Sequence, residues 1–205
     1  MAGIRQTTLI LGEGITEFFF LNSLRDDYPA LKNVMPSYPK HTSIEELEIE
    51  IKKAIRDYNK VFCVIDMDNK QDGVERQKYL ELKNAYHNQT FVDEKLGMNC
   101  FVRFFETDRC TELFFLYYFT YTTKKFLSYK SLVEDLHVYC EYDKTIRFFR
   151  KHPLHSYFSK KGGSIDAAIK NAIKSQKYKE KADADGSFSE LGVMFKELLY
   201  DEKQK

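Results

Sequence analysis

The stretch "VIDMDN" sets Asp66 and Asp68 two residues apart at the end of an apolar run. In an extended chain both side chains leave the same face, about 7 Å apart. Two carboxylates so placed repel each other unless a cation lies between them. Oxygen-only ligands with room for water suit Mg2+ or Mn2+ rather than zinc. A second source of acid is "LILGEGITEFFF", where Gly12 and Gly14 have the spacing of the first two glycines of a dinucleotide loop. Glu13 lies between them, however, and Glu17 stands where the third glycine belongs. That third glycine lets the helix pack closely on its strand, and Glu13 would add negative charge beside the phosphates. The loop therefore reads as one that presents a carboxylate. The chemistry of such a set is phosphoryl transfer or phosphodiester hydrolysis, with metal neutralising developing charge.

These acids must be carried by strand ends. Thr7 to Gly12 is β-branched and apolar and closes on glycine, and "KVFCVIDMD" is a continuous apolar run suited to a central parallel strand. Helices are expected at Ile15 to Asp27, at Ser43 to Tyr58 behind a Ser43/Glu46 capping box, and at Val74 to Gln89. Val34 to Ser37 reads as a short strand and Met98 to Phe105 as a further one, followed by the helix "DRCTELFFLYYF". This alternation predicts an α/β fold with a doubly wound, mostly parallel sheet over residues 1–120. Ligands bind such sheets outside the carboxyl ends of the strands, so Glu13 and the Asp66/Asp68 pair are expected to converge. Beyond residue 120 only helices are expected: Ser131 to His137, Tyr142 to Lys151, Ser164 to Gln176 and Phe188 to Tyr200. Residues 121–205 read as a helical, basic appendage packed on the core.

A chain of 205 residues with 17 Phe and 14 Tyr has ample material for a core. The four cysteines show no Cys-x-x-Cys spacing, which argues against a zinc site or a disulfide framework. The N-terminal apolar run is too short for a signal peptide and no stretch reaches transmembrane length, so a cytoplasmic setting without membrane contact is expected. The net charge of +1 hides a lopsided partition. From Lys144 to Lys181 eleven Lys or Arg face only Asp166 and Glu180, leaving +9 there and −8 elsewhere. Clustered cations bind phosphates, so Arg147, Arg150, Lys151, Lys160, Lys161, Lys170 and Lys174 are candidate nucleic-acid contacts. Phe148, Phe149, Tyr157 and Phe158 interleave with them and could stack on bases, or belong to the core.

"GEGITE" followed by "VIDMD" is similar to the Toprim pattern of primases, topoisomerases and OLD-type nucleases, and the chain as a whole resembles the RloB-like family more closely. That family's opening, EG-x-T-E before an aromatic run, is matched by Glu13, Gly14, Thr16, Glu17 and Phe18 to Phe20. Its later signature is matched in "CTELFFLYYF" at Cys110, Glu112, Leu113, Leu116 and Phe119, with Thr111 standing for Phe, Phe114 for Trp and Tyr118 for His. The resemblance spans residues 7–120, more vaguely "SELGVMFKELL". It implies a Toprim-like magnesium or manganese site and an abortive-infection role in bacterial anti-phage defence, beside an ABC-type ATPase partner. Glu13 would be a general acid/base or metal ligand, Asp66 and Asp68 metal ligands, Glu112 a further ligand, and Glu17 a supporting or second-metal carboxylate. The missing histidine at Tyr118 puts a proton-transfer role there in doubt.

Three functional classes remain: a metal-dependent nuclease, a non-catalytic nucleic-acid-binding or sensor subunit, and a phosphoryl-accepting receiver. The last needs a fifth strand ending in lysine, which the sequence does not offer. Arg103 and Arg109 could clamp a phosphate, His152 and His155 read as solvated loop residues, and Asp183 with Asp185 gives only half a calcium loop. The apolar helix Leu113 to Phe119 could serve a homo-oligomer interface or the core.

Overall fold

The computed structural model describes residues 7–41, 43–68, 70–93, 97–181 and 184–200. The chain runs β1 (Thr8–Leu11), α1 (Ile15–Asp27), β2 (Val34–Ser37), α2 (Ile44–Asp57), β3 (Lys60–Asp66), α3 (Gly73–Tyr86), β4 (Gln89–Asp93) and β5 (Met98–Thr107). Helices follow: α4 (Glu112–Leu116), α5 (Tyr129–His137), α6 (Ile146–Lys151), α7 (Leu154–Lys160), α8 (Ile165–Lys179) and α9 (Leu191–Leu199). The sheet order is β2-β1-β3-β5-β4, parallel throughout except for the β4/β5 pair. It is a doubly wound α/β sheet, consistent with a Toprim-like arrangement.

Side chains alternate across the sheet, as the two-residue strand period requires. Leu9, Leu11, Val61, Cys63, Ile65, Val102 and Phe104 face α2 and α3. Ile10, Phe62, Val64 and Phe105 face α1 and the helices after residue 120. The C-terminal helices are thus a layer of the domain. Their last member, α9, rests on β5 and α8, and Phe195 stacks on Phe114 with centroids 5.2 Å apart. This crossing is close because Gly192 has no side chain. A Cβ there would lie 2.7 Å from the Ile169 carbonyl, 2.8 Å from Ala172 Cβ and 2.9 Å from the Ile173 nitrogen. Gly192→Ala is therefore expected to lower stability by about 1–3 kcal/mol, read as a lower urea midpoint with an unchanged slope.

Several elements differ from the sequence-based expectation. The helix predicted to Gln89 ends at Tyr86, and Asn88 at φ 59° turns the chain into β4. Asparagine tolerates that left-handed conformation, which lets a short antiparallel edge strand form where no strand was read. The predicted helix from Tyr142 starts at Ile146, because the Thr145 hydroxyl accepts the Phe148 N–H as its cap. The "HPLH" loop is the start of α7, with Pro153 at its N-cap, where a missing N–H costs nothing. His155 is consequently buried rather than solvated, its Nδ1 3.0 Å from the Tyr118 hydroxyl. Leu113 to Tyr118 are all buried, so that run serves the core and presents no exposed interface. Phe149 and Phe158 are also core residues, while Phe148 and Tyr157 are half-buried against His152. Cys63, Cys100, Cys110 and Cys140 are buried free thiols. Among the described residues no helix is long and apolar enough to cross a membrane. Asp183, half of the weighed calcium loop, lies outside the described residues.

Candidate metal centre

The centre forms where β1 and β3 end and α1 and α4 begin. After β1 the chain turns through Gly12, whose N–H donates to the Ser37 carbonyl at 2.9 Å. Glu17 reaches back from the first turn of α1, and its Oε2 accepts the Gly14 N–H at 2.9 Å, satisfying one orphan donor of the helix. A Cβ on Gly12 would sit 2.4 Å from Glu17 Cβ and 2.9 Å from its Cγ. The absence of a side chain at Gly12 thus makes room for Glu17.

β3 delivers Asp66 on the face shared with α1 and α4. It is buried, with 9% of its surface exposed, and the Thr111 hydroxyl donates to its Oδ1 at 3.2 Å. Thr111 stands where the family signature has Phe, so that departure places a hydroxyl on an acid of the centre. Glu112, the first residue of α4, is fully enclosed. Its Oε1 accepts the Tyr142 hydroxyl at 2.8 Å and lies 3.2 Å from the Lys144 ammonium. Its Oε2 is buried without a hydrogen-bond partner among the described residues. Glu13 is 21% exposed and pairs with the Lys70 ammonium at 2.7 Å, and Lys70 also donates to the Asp66 carbonyl at 3.0 Å.

The charges are not balanced. Burial pushes the Glu13 carboxyl up to about 7, opposed by Lys70 and reinforced by Glu17 and Asp68. Burial likewise raises Glu17, with Thr111 opposing and Glu112 adding to the rise. Asp66 is raised well above its usual range by burial and then by Glu17, Glu13 and Glu112, with Lys144 opposing. Desolvation works against the Lys144 ammonium, but Glu112, Glu17 and Asp66 outweigh it and hold the proton on. Carboxylates crowded out of water in this way need protons or cations. An all-oxygen donor set with an orphaned carboxylate oxygen fits a hard divalent cation.

Of the predicted residues, Glu13, Glu17, Asp66 and Glu112 come together. Asp68 does not share a strand face with Asp66, because β3 stops at Asp66 and Asp68 lies exposed in the turn beyond, its N–H bonded to the Arg109 carbonyl at 3.1 Å. Among the described residues no three His, Cys, Asp or Glu side chains stand in metal-holding geometry. Arg103 turns to Glu197 at 3.3 Å and lies over the Phe105 ring, and the Arg109 Nε donates to the Phe126 carbonyl. Arg147, Arg150 and Lys151 on α6, Lys160 and Lys161 at the end of α7, and Lys170 and Lys174 on α8 are all exposed. Lys70, Thr111, Tyr142 and Lys144 escaped the sequence reading. Lys70 lies in the turn after β3, where no periodic signal marks it.

A family model described as RloB-like protein matches residues 8–198. No curated protein and no solved structure matches the chain.

Proposed function

This chain belongs to the RloB-like family, and from that premise we propose that it is a magnesium- or manganese-dependent nuclease of the Toprim type. The observation that carries the reading is the gathering of Glu13, Glu17, Asp66 and Glu112 at the carboxyl end of the sheet with one carboxylate oxygen orphaned. Asp66 and Glu112 would hold the ion, with Asp68 at the rim and Glu13 as either a further ligand or the general acid/base. When bound, a divalent ion supplies charge neutralisation and a more acidic water. As the general acid/base, Glu13 would take a proton from the attacking water and return one to the leaving oxygen. Lys70 positions Glu13, and Glu17 fixes the loop that carries it. The exposed cations of α6 to α8 would hold backbone phosphates of RNA or DNA. The family resemblance supports a cytoplasmic role as the effector of a bacterial anti-phage, abortive-infection system with an ABC-type ATPase partner.

The second reading, a non-catalytic nucleic-acid-binding or sensor subunit, draws on the internal pairing of the acids with Lys70 and Lys144. One experiment separates the two. Wild type and Asp66→Asn are incubated with transfer RNA, single-stranded RNA and plasmid DNA in EDTA, Mg2+ or Mn2+. Cleavage that requires metal and falls to background in Asp66→Asn is the expected result. Absence of cleavage in every arm, with polyanion binding equal in both proteins, would transfer the assignment to the binding subunit.

A further inference from the structure

We propose that Lys144 is an exchangeable tethered cation: its ammonium holds the place at Glu112 that a divalent ion takes, and it swings into solvent as the ion enters. The proposal rests on the metal-dependent reading of the centre and specifies how that centre is loaded.

Among the described residues two ammonium groups meet the acids, and they differ in kind. Lys70 comes from the chain just beyond β3, is 10% exposed, and is fixed between Glu13 at 2.7 Å and the Asp66 carbonyl at 3.0 Å. Lys144 comes from the opposite layer, on the segment joining α5 to α6. Its side chain is 41% exposed although the Glu112 carboxylate that it meets at 3.2 Å is fully enclosed. The lysine therefore enters from solvent and can return there.

The backbone around it is pinned. The Tyr142 carbonyl lies 2.9 Å from His137 Nε2, the Tyr142 hydroxyl donates to Glu112, and Thr145 caps α6. Rotation of the four-carbon stem is sufficient for exchange, and no loop need unfold. The ammonium is also an incomplete partner, since it leaves Glu112 Oε2 unsatisfied. A hard divalent ion carries twice the charge and takes several oxygens at once, so it can displace a single lysine from Glu112, Glu17 and Asp66.

Two measurements test the exchange without using activity. Mg2+ affinity is measured by calorimetry on the full chain and on Lys144→Gln, which is expected to bind about tenfold or more tightly once the competing charge is gone. The chain has no tryptophan, and the Lys144 ammonium lies 5.4 Å from the Tyr129 ring centroid, so Tyr129→Trp provides a reporter of its departure. Titrating Mg2+ into the Tyr129→Trp protein should change its indole emission when Lys144 is present and leave it unchanged in the Lys144→Gln background. An unchanged affinity, or a reporter silent to Mg2+, overturns the exchange while leaving the metal centre standing. Failure of both Lys144 forms to bind Mg2+ overturns the exchange and the metal-dependent reading together.

Discussion

In EDTA at pH 8, Asp66→Asn is expected to melt about 5 °C above wild type, and Mg2+ is expected to reverse that order. Asp66 is buried, and the neighbouring Glu17, Glu13 and Glu112 all raise it further. Its ionised form is therefore disfavoured by both desolvation and repulsion. Asparagine keeps the shape and retains an oxygen for the Thr111 hydroxyl, while removing an ionisable group from the cluster. Each 1 kcal/mol of relief converts to about 2–4 °C for a chain of this size. Mg2+ bound by the native state stabilises wild type by mass action and has less to hold in the variant. Calorimetric or dye-monitored melting with and without Mg2+ reads both signs. A variant that melts lower than wild type in EDTA would mean that Lys70 and Lys144 already compensate Asp66 in full.

The metal-free protein should also lose stability as pH rises from about 4.5 through 7, the interval between the ordinary and the folded Glu13 values. The sign follows from proton binding. Glu13, Glu17 and Asp66 are all raised in the folded chain, so the native state holds protons that the unfolded state has released. Their contribution is complete below the unfolded value and disappears as pH climbs through the folded one. A carboxyl at about 7 instead of 4.5 is worth on the order of 3 kcal/mol at most. His87 and His155, both lowered by burial, act in the opposite sense on the acid side. The diagnostic quantity is therefore the difference between wild type and Glu13→Gln, measured by urea unfolding from pH 5 to 8. That difference should widen with pH in EDTA and close in Mg2+. A difference that stays flat across the range would remove Glu13 from the charge imbalance.

The sheet was legible because its central strand is apolar on both faces and ends in an acid, a combination that loops rarely provide. α2 was legible from its cap, with the Ser43 hydroxyl accepting the Glu46 N–H at 3.1 Å. β4 was not, since a strand of five residues at the sheet edge shows no apolar alternation and its boundary depends on the backbone of Asn88. α7 was hidden behind a proline that marks a helix start as readily as a loop. In the centre, Glu13, Glu17 and Asp66 stood out because acids directly after buried strands are anomalous. Asp68 was placed on the same face only by extending the strand beyond its end. Lys144 was concealed by its company: among eleven neighbouring cations, nothing local marks the one whose partner is a glutamate thirty-two residues earlier. Such pairings are made by the fold and leave no trace in spacing.

One face of the sheet is closed by residues made after all five of its strands. Phe20 packs on Phe195 with centroids 5.8 Å apart, the Glu190 N–H donates to the Glu106 carbonyl at 2.8 Å, and Thr107 bridges to Ser189. During synthesis, β1, β3 and β5 can pair and take up α2 and α3 while their other face still lacks α9. The nascent chain thus carries an exposed aromatic surface until Leu199 has emerged. The acid centre likewise waits for Tyr142 and Lys144, which meet Glu112, so it closes only after its own carboxylates have long been made.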